Sequence, residues 1–377
     1  MKIVLAIDSF KGCLTSIEVE QIVAKSFRKY IPDVIINMIP IADGGDGTLS
    51  ILSDVLGAQL HECSVYNPCM ELIPCQYAMS PSHDCALIEM AAASGLSLIP
   101  PEKHNPMKTT TYGTGQLIAD ALDKGCTNFI IGLGGSATND AGVGMLQALG
   151  FQFFDKDGNE LGQGGEILDK IASWSDVNKH PLLQEAHFTV ACDVNNPLYG
   201  ENGAACVYAA QKGADAAMIQ QLDKGLFSFA RQIYETIGID ISRIPGSGAA
   251  GGLGGGMMAF LNSELKSGAS LVLELSGFER RIDDADFIIT GEGRMDNQTL
   301  MGKIPGCILQ IGKQYHIDVL GLAGSVSDMD KLLAAGFFAI YPVTPPDMPL
   351  DEAMKPCVTE ENIMKAVENI CTSLLTK

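Results

Sequence analysis

The sequence predicts an α/β protein of two domains, one interrupted by the other, and three observations carry that expectation. Short apolar runs alternate with helical stretches at both ends of the 377-residue chain. Three runs in the middle lie too close together for helical crossovers. Several strand-like runs empty into loops that mix glycine with charge, where open α/β sheets place their ligands.

Residues 2–7 form a continuous apolar run of the kind buried on both faces of a parallel sheet. The loop Asp8-Ser-Phe-Lys-Gly12 follows. Thr15 and Glu18 have capping-box spacing, in which each side chain satisfies a free backbone N–H, and they open a helix to about Tyr30. Residues 34–39 make the next strand, which leads through Asp43-Gly-Gly-Asp-Gly-Thr48 into a further helix. Strands at 287–290, 319–323 and 338–343 repeat the rhythm, and such alternation implies parallel pairing with right-handed crossovers. Between these ends, the runs at 61–66, 73–79 and 86–90 suggest hairpins in a mixed sheet. The simplest topology is a discontinuous Rossmann-like or flavodoxin-like parallel-sheet domain, residues 1–66 plus 284–377. A second α/β domain, residues 67–283, is inserted and contains the mixed sheet.

Composition narrows the functions. With 46% hydrophobic residues there is ample material for packed cores, and the 41 glycines, set among apolar runs, indicate tight loops rather than disorder. A formal net charge of −20 repels nucleic acid and anionic membranes, so neither is an expected partner. Cys63, Cys69 and Cys75 are spaced by six and no C-x-x-C pair occurs, so the cysteines read as reduced thiols rather than zinc ligands. The apolar run at the amino terminus is too short for a signal peptide, and none is long enough to span a bilayer; the expected location is cytoplasmic.

The segment Thr290-Gly-Glu-Gly-Arg-Met-Asp-Asn-Gln-Thr-Leu-Met-Gly-Lys303 is the most informative. It follows a strand-like run and carries Glu292, Arg294, Asp296 and Lys303, cations suited to phosphate or carboxylate and carboxylates suited to metal or hydroxyl; a salt-bridged surface loop is the plain alternative. Gly132-Leu-Gly-Gly-Ser-Ala-Thr-Asn-Asp140 follows a strand and enters a helix near Asp140, so Gly134, Gly135, Ser136, Thr138 and Asn139 are candidates for holding phosphates through backbone N–H groups and side-chain donors. Asp8, Ser9 and Lys11 end the first strand. Asp43 and Asp46 are carboxylates for Mg²⁺ or substrate hydroxyls, or simply turn residues. Asp193, after the run at 188–191, could hold Mg²⁺, act as a base or cap a turn. Lys212 reads as a solvated lysine. The run Pro245-Gly-Ser-Gly-Ala-Ala-Gly-Gly-Leu-Gly-Gly-Gly256 matches G-x-G-x-x-G but lacks a preceding buried strand and an acidic residue at ribose distance, which rejects the dinucleotide reading and leaves a ligand wall or lid, or a close-packed turn. No P-loop occurs, because Gly302-Lys303 is followed by Ile304.

Taken together these segments resemble the type I glycerate kinase family of bacterial glycerate 2-kinases. The likeness also covers Asn105-Pro-Met-Lys-Thr-Thr-Thr-Tyr-Gly-Thr-Gly115, Cys192-Asp-Val-Asn-Asn-Pro197 and Gln211-Lys-Gly213, and it runs over nearly the whole chain in order. The resemblance implies ATP-dependent, Mg²⁺-assisted phosphorylation of D-glycerate, usually to 2-phosphoglycerate, with a site between two α/β domains. D-Glycerate and ATP are then the expected partners, and a homo-oligomer is compatible. Three positions depart from the family pattern: Asp46 where glutamate is common, Cys13 where serine is usual, and His104 where arginine is expected, which moves that charge to Lys108 or removes it. On this reading Lys11, Asp193, Arg294, Asp296 and Lys303 are catalytic. Asp8, Ser9, Asp43, Asp46 and Glu292 bind substrate, the 134–139 loop holds ATP phosphates, and Asp193 or Asp43 holds Mg²⁺. Asp296 or Asp193 orients and deprotonates the hydroxyl. A kinase for a related small sugar acid, a non-catalytic ligand-binding protein on the same fold and, least of all, a dehydrogenase are the alternatives.

Overall fold

The computed structural model describes residues 1–10, 12–41, 52–53 and 55–375. Lys11, Asp43 and Asp46 lie outside the described residues; in the helix expected after Thr48, Leu52, Ser53, Val55 and Leu56 are described and helical. The chain forms two compact units, Met1–Ile51 with Ser267–Lys377, and Leu52–Lys266. The divisions fall at 51/52 and 266/267 rather than at 66/67 and 283/284, and pairing explains both shifts. The strand β3 (Gln59–Tyr66) pairs along its whole length with β4 (Leu72–Met79) and so belongs to the inserted unit. The helices Gly268–Leu275 and Phe278–Ile282 belong to the discontinuous unit. There the Arg281 guanidinium donates to Asn37 Oδ1 at 2.7 Å and to the Met38 carbonyl at 2.8 Å, and Tyr315 donates to Glu279 at 2.7 Å.

The discontinuous unit holds a parallel five-stranded sheet. Its strands are β1 (Lys2–Ile7), β2 (Ile35–Met38), β11 (Phe287–Met295), β12 (Asp318–Val326) and β13 (Ala339–Pro342), in the order β13-β12-β11-β1-β2. Alternate residues serve opposite faces, as strand geometry requires. Ile3, Leu5, Ile7, Ile289 and Leu320 pack with Val19, Val23 and Phe27 of helix Ser16–Tyr30 and Ile363 and Val367 of helix Pro356–Leu375. Helix Ile304–Tyr315 meets the other face, where Gly312 lies against Ile288 and Val319. The Thr15–Glu18 capping box is present.

The inserted unit holds a mixed six-stranded sheet. Besides β3 and β4 it contains β5 (Cys85–Glu89), β6 (Asn128–Gly132), β9 (His187–Ala191) and β10 (Glu264–Lys266), in the order β10-β9-β6-β5-β4-β3. The β3–β4 and β4–β5 pairs are antiparallel, as the short spacings required, and the remaining pairs are parallel. A small hairpin, β7 (Gln152–Phe154) with β8 (Ser173–Ser175), places Phe153 and Trp174 around Phe260.

One buried carboxyl sits under β1, an interior strand of the parallel sheet. The β1–β2 ladder closes with Ile39 N–H donating to the Leu5 carbonyl at 2.9 Å, and beyond it helix 16–30 fills the gap. Ser16 donates to the Ile7 carbonyl at 2.6 Å and accepts from the Ile41 amide at 3.3 Å, while Glu20 accepts from the Ile7 amide at 3.2 Å. Burial pushes the Glu20 carboxyl up to about 8, against the pull of the Ile7 amide and the Arg281 charge. The folded chain therefore keeps a proton that the unfolded chain releases in the ordinary carboxyl range. That stabilising contribution is full below about pH 4.5 and is lost as pH rises through about 8. Glu20→Gln keeps an acceptor for Ile7 and cannot ionise. Its melting temperature should match the parent at about pH 5 and exceed it by several degrees at about pH 9; equal melting at the higher pH would show that Glu20 is not the titrating group.

Candidate active site

Charged residues gather at the carboxyl ends of strands in both units. In the parallel sheet the chain leaves β1 toward β2 on one side, while β11, β12 and β13 step away on the other. The order therefore reverses between β1 and β11, the position where such sheets open a ligand crevice. Ile7 is paired with Gly291, so Asp8, just past the end of β1, follows beside Glu292 of β11. Asp8 is buried; its N–H donates to the Gly291 carbonyl at 2.9 Å, and its Oδ1 accepts from the Ser9 amide at 2.6 Å.

The segment expected as a loop after this strand is largely strand. β11 continues to Met295, with Glu292 beside Ala323 and Arg294 beside Ser325 of β12. Gly291 permits this, since a Cβ there would lie 1.7 Å from the Leu322 carbonyl oxygen. Glu292, also buried, accepts from the Thr299 hydroxyl at 2.6 Å and from the Lys303 ammonium at 2.9 Å. Asp296 caps the 3-10 turn Asn297–Leu300, accepting from the Gln298 amide at 2.8 Å while its own amide donates to Thr299 at 3.0 Å. Its other oxygen is 3.4 Å from Arg294 Nε. The fold thus ties Lys303 to Glu292 and Asp296 to its turn, and leaves the Arg294 side chain 68% exposed.

In the inserted unit the loop after β6 is built around a buried carboxylate. Asp140 accepts from the Thr111 amide (2.8 Å) and hydroxyl (2.9 Å) and from the amides of Gly142 (3.2 Å) and Gly144 (3.3 Å). The helix here starts at Val143, later than expected, and the N–H groups at its start are engaged by Asp140 rather than presented to a ligand. Thr138 and Asn139 are fully buried, so two of the five predicted phosphate contacts face inward; Gly134 and Gly135 are exposed and Ser136 lies just beneath them. The Thr138 hydroxyl and both polar atoms of the Asn139 amide have no hydrogen-bond partner among the described residues.

One feature of this unit differs from its sequence reading, and a second takes one of the alternatives that reading left open. Lys212, expected to be solvated, is 2% exposed, and its ammonium donates to Ser136 Oγ at 2.8 Å and to the Thr138 carbonyl at 2.7 Å. Burial pulls it down to about 7 while the Asp140 charge opposes that shift, and burial likewise pushes the Asp140 carboxyl up against its hydrogen bonds. The only sequence signal was its flanking Ala209-Ala-Gln and Gly213, which suit a buried turn. The glycine run at 245–256 is a close-packed turn and helix, not a lid: Ala250, Gly251 and Gly252 are left-handed, and a Cβ on Gly251 would lie 2.1 Å from the Thr138 carbonyl oxygen.

The remaining candidates are placed as follows. Asp193 is exposed just beyond the end of β9, beside β6. Thr109 of the 105–115 segment donates to the Ala137 carbonyl at 2.8 Å, so this segment frames the loop from below. The ring Nε2 of His104 is 3.1 Å from the Ile99 carbonyl oxygen, and Lys108 pairs with Glu166 at 2.6 Å. The Asp140 charge favours the protonated form of Lys212. Asp140→Asn, which removes one charge and points an amide at existing donors, should cost about 3 kcal/mol or more in urea unfolding; a loss below about 1 kcal/mol would show that the carboxylate charge is dispensable.

Known proteins place these features in one family. The sequence model of the glycerate kinase family matches residues 3–375. The chain is 45% identical over 354 residues to a glycerate kinase of Halalkalibacterium halodurans, covering 94% of this chain and 93% of that one. It is 44% identical over 376 residues to the glycerate 2-kinase of Escherichia coli K12, covering 99% and 98%. A crystal structure assigned to glycerate kinase 2 from Salmonella typhimurium LT2 superposes with a TM-score of 0.83 at 40% identity, over 100% of this chain and 98% of that one. With the match running almost end to end, this chain belongs to the glycerate kinase family.

Proposed function

We propose that this protein transfers the γ-phosphoryl group of ATP, with Mg²⁺, to the 2-hydroxyl of D-glycerate, giving 2-phosphoglycerate. The observation that carries this reading is the full-length match to glycerate 2-kinase. It is an enzyme, a phosphotransferase with an alcohol acceptor. Among the described residues no helix is long and apolar enough to cross a membrane. The eleven cysteines are free thiols, in keeping with a cytoplasmic location.

The residues present suit the nucleotide. Gly134 is exposed with open space about its α-carbon, so a phosphate can approach the backbone, and a buried ammonium lies under Ser136. Asp193 offers the hard oxygen that Mg²⁺ takes from one or two carboxylates, with phosphates completing its shell. When bound, Mg-ATP supplies the phosphoryl group and neutralises part of its charge.

The other roles fall to the chain's own side chains. Because the transition state is loose, the protein mainly positions groups and offsets charge. Asp8, Ser9 and Glu292, at the β1–β11 crevice, hold glycerate. Arg294, the exposed cation of β11, offsets charge on the glycerate carboxylate and the transferring group, together with Lys303 and Lys11. Asp193 or Asp296 orients the attacking hydroxyl and takes its proton.

Incubation with Mg-ATP and D-glycerate, followed by NMR of the product, should give 2-phosphoglycerate; 3-phosphoglycerate, or no turnover, would overturn the reading. Arg294→Ala should lower kcat by about a hundredfold or more without changing the melting temperature. Near-normal turnover would remove Arg294 from the site.

A further inference from the structure

We infer that Lys212 is a positioning residue for phosphoryl transfer: its buried ammonium fixes the turn that presents Gly134 and Gly135 to the nucleotide. This rests on the proposed kinase reading of the 134–139 loop. Lys212 is too deeply buried to touch the nucleotide itself. It acts through Ser136 and Thr138, two residues of one loop that it ties together at 2.8 and 2.7 Å.

The construction around it is specific. Lys212 ends the 3-10 turn Ala210–Lys212, which follows helix Ala204–Tyr208. Gly213 then turns left-handed at φ +95°, and a Cβ there would lie 2.3 Å from the His104 carbonyl oxygen. No other residue fits that turn without displacing the backbone, so the lysine is delivered to the loop from a fixed point. The opposite side of the loop is held by backbone: Ala137 N–H donates to the Ser94 carbonyl at 2.9 Å, and Leu96 N–H to the Gly135 carbonyl at 2.9 Å. The exposed glycines therefore sit at the crest of a turn gripped from both sides.

Stability alone does not explain a charge here. A buried ion costs desolvation that its partner repays only in part, and well-packed apolar residues of similar volume are often as stable or more so. A methionine would fill the same space. What methionine cannot supply is two directed donors that set the spacing of Ser136 and Thr138. Phosphoryl transfer depends on such placement, since small displacements of a positioning group cost rate steeply.

The test compares four variants of the full chain by steady-state kinetics with melting curves. Lys212→Met should raise the KM for Mg-ATP at least about tenfold, leave the KM for D-glycerate within about twofold, and be partly rescued by Lys212→Arg. A folded Lys212→Met enzyme with unchanged KM for Mg-ATP, or with both KM values raised alike, overturns the inference. If Lys212→Met does not fold, Ser136→Ala, which removes one of the two acceptors and buries no charge, should shift the same KM in the same direction; no shift again overturns it. Gly134→Val examines the loop reading separately, because its side chain meets open space. A raised KM for Mg-ATP supports the loop as the phosphate site, whatever Lys212 does. An unchanged value removes that reading and this inference with it.

Discussion

Two buried ionisable groups, Asp140 and Lys212, are the constraint on which the inserted unit's functional end depends. Neither charge is stable alone in that setting, and burial pushes each toward neutrality. Each is instead clothed in hydrogen bonds: Asp140 by Thr111, Gly142 and Gly144, and Lys212 by Ser136 and Thr138. Partners that could have belonged to a ligand are used to build the support. The loop can then expose bare glycine backbone while everything beneath it is fixed.

The parallel sheet solves a related problem differently. Its crevice lies where strand order reverses, and two carboxylates follow there from neighbouring strands, Asp8 and Glu292. Glu292 is neutralised locally by Lys303 and hydrogen-bonded by Thr299, and Asp296 is held by the Gln298 amide of its own turn. Arg294 is the strand-end cation carried outward. The net charge of −20 makes such local cations necessary, because the general field opposes an anionic substrate.

Much of this was legible in the sequence, for identifiable reasons. The apolar run at β1, the capping box at Thr15 and Glu18, and the close spacing of β3, β4 and β5 report local rules that the fold obeys. The strand-end loops reported themselves by mixing glycine with charge. Three things were not legible. The extension of β11 to Met295 depends on β12 approaching Gly291, a long-range contact invisible to local propensity. The burial of Lys212 depends on loop partners lying 76 and 74 residues away, which its small flanking residues permit but do not specify. The glycines at 251 and 256 left a ligand wall and a close-packed turn open alike, because glycine serves close approach to backbone as readily as to phosphate; here a Cβ would strike Thr138 and Ala141 carbonyl oxygens.

The interior position of β1, between β2 and β11, has a consequence for synthesis. One neighbour, β2, emerges within a few dozen residues, but the other, β11, begins at Phe287, after the whole inserted unit. At roughly 5–20 residues per second, β1 waits tens of seconds with one edge unpaired and Ile3, Leu5 and Ile7 uncovered by the carboxyl-terminal helix. Leu52–Lys266, a contiguous stretch, can close its own core during that interval. The nascent chain thus carries a finished unit behind an unfinished one, and the strand bearing Asp8 is among the first made and among the last enclosed.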